Sequence, residues 1–236
     1  MASRDPKGAR RRVGVSPTPT RRRSFSNNGY MTNGTEGSPT PYQQASRQLL
    51  RSTVFNAMHS LLGKNDWSSV TMSDVARAAG LSRQTLYSAF GTRQGLAQAY
   101  ALQLSEVYAG EIRDAITRNP GNIDAALHEG IDRFLNAAGS DPLIRSLVRG
   151  DIKPELLRII TTEAGPLIER ATAVLTPALA NSWMNLEPRH ARLAASIIAR
   201  IGISFVSLPP ENPEELANGL TEVVAPYLHL VANPID

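Results

Sequence analysis

The chain has 236 residues, 42% of them hydrophobic, enough to bury a sizeable core as one domain or two. It holds 25 Lys+Arg, 21 Asp+Glu and no Cys, which excludes a disulfide scaffold, a thiolate metal site and a cysteine nucleophile. The most apolar stretch, Leu193 to Leu208, is interrupted by Arg200, so no membrane span is expected.

The net charge of +4 is unevenly spread. Residues 1–43 carry eight Lys+Arg and two acids, residues 44–100 six and two, and residues 101–236 eleven and seventeen. A basic front on an acidic body suggests a polyanion that touches one end only. The N-terminus has charge but no apolar h-region, so no signal peptide is expected, and a cytoplasmic setting fits the missing Cys.

Residues 1–43 read as a disordered basic tail. Five prolines stand among Ser, Thr, Asn and Gly, and apolar residues are too sparse to offset the ordering entropy. Arg10-Arg11-Arg12 and Arg21-Arg22-Arg23 suit extra phosphate contacts. The alternatives are a solvated tail or an over-extended start, with Met31 beginning the chain.

From residue 44 the pattern turns helical. Leu49, Leu50, Val54, Phe55, Met58, Leu61 and Leu62 recur at helical spacing, and Gly63 ends the run. Trp67 and Val70 fall in a short connection. Thr71 or Ser73 caps a second helix with Asp74 in its first turn, and Gly80 follows as a residue able to take positive φ. Ser82 caps a third helix, Arg83 to Phe90. Gly91 stops it, and Thr92 caps a fourth helix running to about Arg118. Beyond that, punctuation cuts the chain into helices near 122–138, 142–149, 154–180, 188–207 and 213–231. Pro166 and Pro177 are expected to kink or split the third of these. No stretch alternates with period two, so the fold is read as all-α with about nine helices.

The segment TMSDVARAAGLSRQTLYSAF is a helix, a tight turn and a second helix. Arg83, Gln84, Thr85 and Ser88 are expected to point outward, and Leu86, Ala89 and Phe90 inward. An exposed helix start rich in Arg, Gln and Thr fits a major groove, where it reads base edges by hydrogen bonds.

Thr71, Val75, Ala76, Ala79, Gly80, Leu81, Ser82, Thr85, Leu86, Tyr87, Phe90, Arg93 and Leu96 resemble the helix-turn-helix of the TetR family of bacterial repressors. The resemblance covers residues 46–100. It departs where Ser88-Ala89 replaces a bulky pair and where Gly95 replaces an acid. By chemistry, Arg83, Gln84, Thr85 and Ser88 are the candidates for base readout. Thr71, Tyr87, Thr92 and Arg93 match the family's phosphate-contacting positions, although Tyr87 also suits half-buried packing.

The chain is read as the disordered tail (1–43), a DNA-binding domain (44–100) and, as the resemblance further implies, a helical effector-binding and dimerisation domain (101–236). Ile197, Ile198, Ile201 and Phe205 form an apolar stripe on one helix, and Leu220, Val224, Tyr227 and Leu228 form one on the last. These are the candidate dimer interface, or part of the internal core. Leu127, His128, Ile131, Phe134, Leu147, Ile159, Glu163 and Leu167 are candidates for an effector pocket or, singly, ordinary core. The scarcity of charge on those faces points to a lipophilic ligand. His128-Glu129-Gly130 lacks a second His, since Asp132 stands in its place, so no metal and no cofactor are expected.

No phosphate-binding glycine loop or nucleophile motif occurs, so an enzyme is not expected. The reading is a homodimeric repressor on a palindromic operator, released by a small effector, cytoplasmic and on the nucleoid when bound to DNA. The alternatives are an activator of the same build or a sequence-tolerant architectural DNA-binding protein.

Overall fold

A computed structural model describes residues 40–148 and 154–233. The expected tail, up to residue 39 and with both arginine triplets, lies outside the described residues, as does the Gly150-Asp151 break. Ten α-helices are present among the described residues: α1 Pro41–Leu62, α2 Met72–Ala78, α3 Arg83–Phe90, α4 Arg93–Arg118, α5 Ile123–Ser140, α6 Pro142–Val148, α7 Pro154–Ile160, α8 Gly165–Ala180, α9 Pro188–Ser207 and α10 Pro213–Val231. None is long and apolar enough to cross a membrane.

Two boundaries differ from the sequence reading. α1 starts at Pro41 rather than near residue 44, because Thr40 and Gln43 close a reciprocal capping box ahead of a proline in the first turn. The helix expected over 154–180 is two. Residues 161–164 form a turn, and Pro166 falls in the first turn of α8, where its missing N–H costs nothing. That split turns the expected nine helices into ten. Pro177 lies inside α8 and does not end it.

The first three helices pack in sequence, α1 on α2 and α2 on α3, with α3 against the start of α4. Their shared core is Val54, Phe55, Met58, Val75, Leu86, Phe90 and Leu96. α4 then runs on between α5 and α8, with α9 on α8 and α10 on α5. Gly130 marks a close crossing: a Cβ there would lie 3.2 Å from the Ile112 Cα of α4. Arg133–Glu111 and Arg170–Glu106 brace α4 at its partly exposed flanks. Such pairs contribute only about 0–1 kcal/mol each.

α6 touches both halves of the molecule. It packs on α1 as well as on α5 and α9. Asp141 precedes it, buried, and accepts the N–H groups of Leu143 and Ile144 at 2.8 and 3.3 Å. The Tyr100 hydroxyl of α4 donates to the same carboxylate at 3.5 Å, and His59 Nδ1 of α1 lies 3.7 Å from it. Burial holds the Asp141 carboxyl above the usual carboxylate range, against the pull of those donors.

Candidate nucleic-acid interface

The turn between α2 and α3 is closed by the backbone. Leu81 N–H donates to Ala76 O at 2.9 Å and Gly80 N–H to Arg77 O at 3.2 Å, while Gly80 takes φ +67°. This double closure needs a left-handed residue, which glycine supplies without steric cost. At the start of α2, Thr71 and Asp74 cap each other reciprocally. The Thr71 hydrogen bonds hold the Asp74 carboxyl below its ordinary range. Ser82 Oγ accepts the Thr85 N–H at 3.0 Å and fixes where α3 begins.

α3 is anchored by Leu86 and Phe90, both buried one turn apart. Arg83, Gln84, Tyr87 and Ser88 are exposed and Thr85 is half-buried. Tyr87 is 50% exposed. Ala89, expected inward, is exposed. It follows Leu86 by only three positions and falls on the rim, where it faces a groove between α1 and α3.

That groove contains two residues absent from the sequence candidates. Arg47 and Arg51 of α1 line it together with Leu50, Gln84, Thr85, Ser88 and Ala89. The Arg51 guanidinium lies 5.2 Å from the Phe55 ring centre and 5.7 Å from that of Phe90. The signal was available in principle: two arginines four apart lie on one face of a helix. Nothing in the sequence said that this face borders α3.

The connection from α3 to α4 is unusually tight. Gly91 sits at φ +69°, ψ −74°, and Thr92 N–H donates to Phe90 O at 2.8 Å, a three-residue turn. Thr92 then caps α4 by accepting the Gly95 N–H at 3.0 Å. Arg93 is turned inward. Its Nε–H donates to Val70 O at 2.9 Å, a second guanidinium nitrogen donates to Trp67 O, and the group lies 4.1 Å from the Trp67 ring centre. Trp67 itself is only 2% exposed.

A second concave feature lies among α4 to α10. It is an apolar cavity of about 110 Å³. Six of the eight pocket candidates line it: Leu127, Ile131, Phe134, Leu147, Ile159 and Leu167. His128 and Glu163 do not. Ile198, Ile201, Phe205, Leu220 and Val224, read as interface, also line the cavity. Leu228 is fully buried within the chain, so it belongs to the core, and Tyr227 bonds His190 Nδ1 at 2.8 Å. Of the eight interface candidates Ile197 is exposed; on the same two helices Leu193, Val223 and Leu230 are exposed as well. No group of acidic and histidine side chains among the described residues could hold a metal ion.

Two parts of the chain match known protein families. Residues 55–100 match the family described as bacterial regulatory proteins, tetR family, and residues 122–226 match the C-terminal domain of the bacterial tetracycline repressor. The transcriptional regulator AlkX of Mycobacterium tuberculosis is 44% identical over 187 residues, which cover 79% of this chain and 89% of the relative. A crystal structure of AlkX from Dietzia sp., a TetR-family repressor described as implicated in biodegradation of n-alkanes, is 71% identical with a TM-score of 0.74. It covers 78% of this chain and 97% of that one. The repressor QsdR of R. erythropolis, 18% identical, shares the fold with a TM-score of 0.54, over 80% of this chain and 99% of its own.

Proposed function

This chain belongs to the TetR family of bacterial transcriptional regulators, and from that premise we propose that it is a homodimeric repressor which binds a palindromic operator and is released by a small lipophilic effector. The observation that carries the DNA reading is the groove between α1 and α3. It puts Arg47 and Arg51 beside Gln84, Thr85 and Ser88 on one exposed face, with Arg83 at the exposed start of the same helix. Arg83 pairs with a guanine and Gln84 with an adenine, while Thr85 and Ser88 reach neighbouring base edges. Arg47, Arg51, Thr71, Tyr87 and Thr92 contact phosphates and set the register. Arg93 acts at one remove, by fixing the start of α4.

One such helix touches too few bases for a specific site, and two placed one helical turn apart read a palindrome. The exposed apolar residues Leu193 and Ile197 of α9 and Val223 and Leu230 of α10 support a paired interface there. The apolar cavity supports an aliphatic effector, and the n-alkane connection of the Dietzia relative agrees with it. Release follows if the effector favours a state in which the two α3 helices are wrongly spaced.

The test is binding of the full chain to DNA from its own upstream region and to random DNA, at two salt concentrations, with aliphatic compounds added to the complex. A preference of several kcal/mol for a palindrome that survives the higher salt, followed by release, is expected. Uniform binding that collapses with salt would instead indicate a sequence-tolerant architectural protein.

A further inference from the structure

The cavity is long and thin. Its lining runs along α4 from Ala97 to Ile112, about 22 Å of helix, and along about 12 Å each of α8 and α9. Its volume of about 110 Å³ is smaller than the roughly 150 Å³ that holds a single benzene in an engineered apolar cavity. Spread along three helices, so small a volume is a slot rather than a chamber.

One ring bridges the slot. Phe134 of α5 and Gly202 of α9 both line it. A Cβ on Gly202 would lie 3.5 Å from Cζ at the tip of the Phe134 ring and 3.9 Å from both Cε atoms. The ring therefore points end-on at the α9 backbone, into the space that the missing side chain leaves. On its flank packs the Tyr108 ring of α4, with centres 5.9 Å apart and planes at 75°. Phe134 is thus held from both α4 and α9. The lining continues to either side of it, with Ile131 one turn earlier on α5 and Leu143 beyond it on α6.

We propose that Phe134, seated against Gly202, sets the width of the effector site, so that the site admits one unbranched hydrocarbon chain and rejects branched chains and rings of the same carbon number. This rests on the reading of the cavity as the effector site. An unbranched chain passes the ring in ordinary van der Waals contact along its length. A quaternary carbon or a closed ring needs extra width, and Phe134 would have to leave its seat to make it. Neither support yields cheaply, because Tyr108 is itself buried and helix backbone stands behind the ring tip. Gly202 permits the arrangement: a side chain longer than a methyl there would push the ring into the slot.

The experiment is thermal melting of the full-length protein and of Phe134→Leu, each equilibrated with the vapour of octane, isooctane or cyclooctane. Vapour over the pure liquid brings each compound to its own saturation, so differences report fit rather than solubility. Midpoints are compared with the same protein without hydrocarbon, and release from a labelled operator is followed in parallel. In wild type, octane is expected to raise the midpoint by about 3 °C more than either of the others, the shift of a roughly 10-fold difference in affinity. In Phe134→Leu, whose side chain is too short to reach Gly202, all three should raise it alike. Should Phe134→Leu not fold, Phe134→Met, which refills the space with a flexible chain, reads the same loss of selectivity. Equal shifts in wild type overturn the proposal without any variant, and so does a selectivity that the variant leaves intact. If no hydrocarbon shifts either protein, the reading of the cavity as an effector site falls, and the width assignment with it. If octane alone binds wild type but frees no DNA, the width assignment stands and the release reading fails.

Discussion

The Arg93 guanidinium rests 4.1 Å from the centre of the Trp67 indole and donates Nε–H to the Val70 carbonyl at 2.9 Å. The first residue of α4 is thereby tied to the short 3₁₀ turn Trp67–Ser69 that leads into α2. The bond closes the base of the three-helix unit, because α3 hangs between these two anchored points.

Arg93→Ala is therefore expected to act through stability. Removing hydrogen bonds from a charged donor and a stacked cation should cost about 2–3 kcal/mol. Arg93→Lys should recover only part of it, since an ammonium cannot fork to two carbonyls while lying flat on an indole. Thermal melting reads the loss. The salt dependence of operator binding separates the roles: an unchanged slope fits an internal tie, whereas a slope reduced by about one would put Arg93 on a phosphate.

Gly95 bears on the same joint. A Cβ at this position would lie 2.3 Å from the Phe90 carbonyl oxygen, which already accepts the Thr92 N–H. The contact is with backbone, so α3 and α4 would have to move apart. Gly95→Ala should destabilise by about 1–3 kcal/mol despite its better helix propensity. Operator affinity should fall as well. A variant that melts higher than wild type would show that the joint relaxes freely.

On the DNA face, Arg83→Ala and Gln84→Ala should each lose about 1–3 kcal/mol at one defined operator position and little elsewhere. Arg47→Ala and Arg51→Ala should weaken all sequences alike and lower the salt slope by about one each. Operator variants titrated at two salt concentrations distinguish the two patterns. Loss of base preference in Arg47→Ala would mean that the groove is docked differently.

These residues also mark what the sequence could disclose. The caps Thr71, Ser82 and Thr92 and the turn residue Gly80 were legible because each is a local device whose partner lies three or four residues away. The cavity residues Leu127, Ile131 and Phe134 were legible as one apolar face of a helix. What failed was long-range. Arg93 reaches back 26 residues to Trp67, and Arg47 shares a groove with Gln84 only because α1 lies beside α3. Ile198 and Leu220 belong to stripes that periodicity cannot assign to a cavity or to a partner. That the Phe134 ring seats against Gly202 is a fact about neighbours, not about sequence.

Asp141 gives a pH-dependent test of the junction beneath α6. Its carboxyl is held above the ordinary range, chiefly by burial, so the folded chain binds that proton more tightly than the unfolded chain does. The sign follows from linkage. The contribution to stability is fully present below the unfolded carboxyl value of about 3.9 and is lost as pH rises through the folded one. Asp141→Asn keeps an oxygen for the Leu143 and Ile144 N–H groups and removes the charge. The variant should melt higher than wild type near neutral pH, and the gap should close as pH falls toward about 4. A gap that stays constant across that window would mean that the carboxylate is not strained by its burial. A variant less stable at neutral pH would mean that the charged form, held by Tyr100 and His59, is what fastens α1 and α4 to α6.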